Sequence, residues 1–119
     1  MIQTAKQKFN GTAVDLNWKP ARTAWLTHVM VTFDTKPSTA GNLVITIVDE
    51  DDADLNIILD SENVARNAFS SPLIYEPDTA IPINFRESVR VQYPNEDGRV
   101  VGVKIKTVSY THLTLPTKA

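Results

Sequence analysis

Hydrophobic and polar residues alternate with a period of two along most of this chain, the spacing of strands that bury one face. Residues 12–18 set Val14, Leu16 and Trp18 on one side and Asp15 and Asn17 on the other. Residues 25–33 set Trp25, Val29, Val31 and Phe33 on one side, with Thr27 between them, and Leu26, His28 and Met30 opposite. Asn42–Asp49 alternates Leu43, Ile45 and Ile47 with Val44, Thr46 and Val48, which predicts a strand apolar on both faces. Shorter runs follow at 55–60, Leu73–Tyr75, 81–85, 89–93 and Val100–Val108.

The punctuation between these runs agrees with them. Residues 36–42 and 94–99 read as connections between strands, and Asp97-Gly98 in the second is a strong hairpin signal. Prolines sit mostly at run edges, where a missing backbone donor costs little. Pro82, inside 81–85, places that run at an edge or a strand start. Residues 61–69 carry few apolar positions and read as a loop with one helical turn, Ser61 being its candidate cap. Together these elements predict an all-β, two-sheet antiparallel β-sandwich, jelly-roll-like, with about eight strands. It forms one domain over residues 1–107.

Composition narrows the classes. The 119 residues are 42% hydrophobic and 22% charged, which excludes disorder, collagen and coiled coil. No apolar run reaches the roughly 18–20 residues that cross a bilayer, so no membrane partner is expected. Residues 1–6 lack the apolar stretch of a secretory leader. The absence of cysteine removes disulfides and thiolate chemistry. A net charge of −2, with basic residues scattered and Lys104 and Lys106 a tight pair, argues against a nucleic-acid partner.

Residues 108–117 read differently. Val108-Ser109-Tyr110-Thr111-His112-Leu113-Thr114-Leu115-Pro116-Thr117 resembles the translation of a transposase-type sequencing adapter, as in an open reading frame from assembled environmental reads. On that reading residues 108–119 are an artefactual tail outside the fold, and Tyr110 and His112 carry no functional weight.

The search for chemistry gives little. His28 is the one histidine outside that tail, and the glycines Gly11, Gly41, Gly98 and Gly102 lie too far apart to cradle a phosphate. No catalytic residue and no cofactor site is expected from these patterns. The acidic run 49–54 supplies Asp49, Asp51, Asp52 and Asp54, a set of oxygens that suits calcium or, equally, a solvated turn that keeps strand edges soluble. Trp18, Trp25, Tyr75 and Tyr93 suit either a glycan-stacking platform or the core.

The order of elements resembles that of small β-sandwich virion accessory or structural proteins of tailed bacteriophages and prophages. The matching pieces are Pro20, the aromatic-led run 25–33, Pro37-Ser38-Thr39 leading to Asn42, and Leu43-Val44-Ile45-Thr46-Ile47. They end with Val91-Gln92-Tyr93-Pro94-Asn95 and Gly102 in the last strand. Similarity spans about residues 18–107, and Arg86-Glu87-Ser88 departs from the family-like Pro-Gly-Asp turn. The resemblance implies a non-enzymatic role in a virion assembled in the host bacterial cytoplasm, with self-association and other virion proteins as partners. The alternative is a glycan-binding adhesion module that joins the aromatic set to a calcium-assisted acidic loop.

Overall fold

A computed structural model describes residues 2–35, 37–39, 41–64 and 72–109. Nine strands occur among them. They are β1 (Ile2–Asn10), β2 (Val14–Trp18), β3 (Ala24–Phe33), β4 (Asn42–Asp49), β5 (Ile57–Asn63), β6 (Leu73–Tyr75), β7 (Ile81–Ile83), β8 (Glu87–Tyr93) and β9 (Val100–Val108). One sheet has the order β1-β9-β3-β6, with β7 also on β3, and the other has β2-β8-β4-β5. All pairings are antiparallel, and they nest: β1 with β9, β2 with β8, β3 with β6 and β7, β4 with β5. This is a ribbon folded on itself and wound into two sheets, the jelly-roll arrangement.

The core lies between the sheets, where the alternating positions meet. Ala5, Ile105, Val29 and Tyr75 form one row across the first sheet. Leu16, Val91 and Ile45 form a row across the second. Leu26, Val29, Val31, Ile45, Val89, Val91, Val101 and Ile105 are fully buried, and each such side chain contributes about 1.5–3 kcal/mol of transfer free energy. At one end Phe33 and Tyr93 pack edge to face across the two sheets, 5.7 Å between ring centres and 85° apart.

The structure alters four details of the sequence expectation. First, β3 does not alternate throughout. Its register against β9 shifts between Leu26 and His28, a β-bulge pinned by the Thr27 hydroxyl, which donates to the Lys106 carbonyl at 3.0 Å. Ala24 and Leu26 therefore share the buried face with Val29, Val31 and Phe33, and Trp25 faces the other way.

Second, β1 is an additional strand. It buries only Ala5 and Phe9, so its alternation is too polar to register as a strand. Third, the connection around Asp97-Gly98 is not a hairpin, because β8 and β9 belong to different sheets. Gly98 does adopt the left-handed conformation (φ 66°) that this dipeptide favours, but the turn arches between the layers.

Fourth, Ser61 lies inside β5, not at a helix cap, and residues 65–69 are outside the described residues. A single 3-10 turn instead spans Ala53–Leu55, capped by Asp52. At the other end of the chain, Val108 pairs with Ile2 and Trp25, and Ser109 is buried, its hydroxyl accepting from Gln3 Nε2 at 3.4 Å. The first two residues of the adapter-like segment are thus integrated into the sandwich. Tyr110 and His112 lie outside the described residues.

Candidate functional site

The acidic run forms the tight link between β4 and β5. Asp49 Oδ1 accepts the backbone N–H groups of Asp51 and Asp52 at 2.9 and 3.2 Å, and Asp52 Oδ1 accepts that of Asp54 at 3.0 Å. Asp51 Oδ1 takes a 2.7 Å bond from Arg86 Nε, and Glu50 pairs with Lys19 Nζ at 2.7 Å. Arg86 itself stands at φ 68°, a left-handed conformation unfavourable for a residue with a Cβ. The carboxylates of Asp49, Asp51 and Asp52 thus serve the loop's own backbone or a neighbouring cation. Among the described residues no three Asp, Glu or His side chains converge as a metal ion would need.

The four aromatic candidates are dispersed. Tyr93 is buried, with its ring against Phe33, and burial pushes its phenol above the ordinary range. Trp18 and Tyr75 are half-buried and packed on the core. Trp25, placed by the bulge, sits on the outer face of the first sheet beside Val108 and Pro82. They form no common platform.

His28 lies on that same outer face, opposite Lys106. Among the described residues its side chain has no hydrogen bond or ion pair.

Pairing of β1 with β9 creates a feature that the linear sequence conceals. Lys6 stands directly opposite Lys104, Lys8 opposite Gly102, and Thr4 opposite Lys106. Four lysines therefore gather on one outer face. Lys6, Lys8 and Lys104 line a shallow hollow of about 540 Å³ with Met30, Thr32 and Gly102. A Cβ at position 102 would lie 2.8 Å from Thr32 Oγ1, so glycine keeps the middle of this face open. The signal was present in the sequence as Lys6-Gln7-Lys8, with period two, but only the β1–β9 register joins it to Lys104 and Lys106.

The sheet edges differ in how they are protected. β1 carries Lys6 and Lys8, and β7 carries Pro82, both common guards against edge pairing. β2 carries Asp15, held by Arg90 through bonds of 2.9 and 2.8 Å. β5 has half-buried Asp60 and Glu62 in its second half, but its start exposes Ile57 and Ile58 at 59% and 66%. Phe85, 83% exposed, sits in the β7–β8 turn at the same end of the sandwich.

No family model matches the chain, and no curated protein matches it in sequence.

Proposed function

We propose that the protein is a non-enzymatic structural or accessory module of a tailed-phage or prophage virion, acting by packing against neighbouring proteins. The observation that carries the docking role is the start of β5, where Ile57 and Ile58 lie exposed on a strand that is outermost among the described residues. Such an edge offers free backbone donors and acceptors to another strand and apolar side chains to bury with it. The jelly-roll winding supports the reading by analogy, since viral capsid domains use this architecture, as do lectins. The order of elements that resembles virion accessory proteins supplies the biological setting. The glycan alternative gains no support from the aromatic placement.

Two measurements test the proposal. Sedimentation velocity of the full chain, alone and with co-expressed virion proteins, should show a complex that Ile58→Lys weakens without lowering the melting temperature. Mass spectrometry of gradient-purified particles should find the protein in the particle fraction. Its recovery solely as free protein would remove the virion role, and an Ile58→Lys variant that assembles normally would remove the β5 edge.

A further inference from the structure

The lysine-bearing outer face of the first sheet has a complementary surface on the same molecule. We propose that this face binds the acidic 49–55 loop of a second copy, head to tail. The argument begins with the cost of the lysine array. Like charges directly opposed across a strand pair repel, yet Lys6 and Lys104 occupy such positions. Among the described residues none of Lys6, Lys8, Lys104 or Lys106 has an ion pair. Asp34 also lines the hollow and keeps its negative charge while its Oδ1 accepts the Val100 N–H at 3.1 Å. The face therefore carries an excess of positive charge, four lysines against the one carboxylate of Asp34, on a chain whose net charge is −2.

The complement is the end of the sandwich where β4 meets β5. Asp49, Glu50, Asp51, Asp52, Asp54 and Glu87 gather there against two cations, Lys19 and Arg86, which already hold Glu50 and Asp51. The 3-10 turn presents Asp52 and Asp54, then Leu55, 59% exposed. Two carboxylates followed by one apolar side chain match a hollow lined by Lys6, Lys8 and Lys104 together with Met30 and Gly102.

The loop and the hollow are at opposite ends and on opposite sheets. The hollow adjoins Phe33 at the Tyr93 end, whereas the loop follows Asp49, opposite Glu87. A loop so placed serves another copy, and because donor and acceptor surfaces differ, the contact is heterologous, closing into a ring or extending as a filament. A protein segment suits this face better than a nucleic acid, because the exposed Leu55 has the apolar Met30 to meet in the hollow.

The inference rests on the lysine face and the acidic loop, not on the virion setting or the β5 edge, so Ile58→Asn, which alters that edge without adding charge beside the loop, should leave it unaffected. Sedimentation velocity at 50 mM salt should show association that weakens about tenfold or more at 500 mM, as screening shortens the reach of the charges. Lys6→Glu/Lys104→Glu and Asp52→Asn/Asp54→Asn should each be monomeric with unchanged circular dichroism. Their equimolar mixture should restore a one-to-one dimer that grows no further, since each copy retains one working half. Lys8→Gln/Lys106→Gln, a milder change, should weaken association of the otherwise native chain. A wild-type chain that stays monomeric at 50 mM salt overturns the proposal. So does a mixture that fails to dimerise, and so does a monomer that binds a fluorescent single-stranded oligonucleotide through the same lysines.

Discussion

The Asp97 carboxylate, in the arch between β8 and β9, holds Thr39 of the β3–β4 connection by both its backbone N–H, at 2.9 Å, and its hydroxyl. Ser38 adds its own N–H at 2.7 Å and its hydroxyl at 3.2 Å. Two arches that join the sheets at one end are thereby tied to each other through a single acid.

These bonds hold the Asp97 carboxyl far below the usual carboxylate range, the Thr39 hydroxyl bond being the largest cause. A depressed folded-state pKa contributes stability that is complete above the unfolded value of about 4 and is lost as pH falls toward the folded one. Urea unfolding should therefore show the wild type losing more stability between pH 5 and pH 3 than Asp97→Asn. Parallel pH profiles for the two proteins would contradict this linkage.

The bulge in β3 makes a prediction that uninterrupted alternation would reverse. Leu26→Ala should cost about 2–5 kcal/mol, as for other fully buried aliphatic side chains. Trp25→Ala, although it removes more atoms, should cost less, because the ring stands on the outer face. Denaturant midpoints of the two variants decide the order.

Gly102 and Thr32 should be coupled. With Thr32 present, Gly102→Ala forces its Cβ against Oγ1, and the displaced hydroxyl costs about 0.5–1.5 kcal/mol if it must leave its rotamer well. Thr32→Ala should remove most of that penalty. A double-mutant cycle with no coupling energy would show that the strands simply part instead.

Lys104→Glu should stabilise the isolated monomer. It replaces repulsion across the β1–β9 pair with attraction to Lys6, worth about 0.2–1 kcal/mol. Thermal melts at low and high salt check this, since the gain should shrink as salt screens it.

The sequence made the sandwich legible wherever alternation was carried by β-branched residues in both directions. Asn42–Asp49 and Val100–Val108 agree with the structure at both ends. β1 was hidden because an outermost strand needs to bury only Ala5 and Phe9. Uninterrupted alternation puts Trp25 on the wrong face, because a bulge adds a residue without a proline or glycine to mark it; Thr27 looks like any other strand threonine. The Asp97-Gly98 turn was correct in local conformation and wrong in partnership, since backbone φ is a short-range property and sheet membership is not. The lysine face is hidden in the sequence for the same reason: charge spacing along one strand does not reveal which strand lies next to it.

The irregularity at Thr27 also divides the labour of β3. Residues 24–26 bind β7 and residues 29–31 bind β6, with the extra residue between them. Inside and outside are exchanged at that point, like a seam where a fabric is turned over. Neither short strand can slide along β3 past the seam, because its apolar side chains would then point to solvent. One threonine thus sets the alignment of two separate segments and confines each to its own stretch of the sheet.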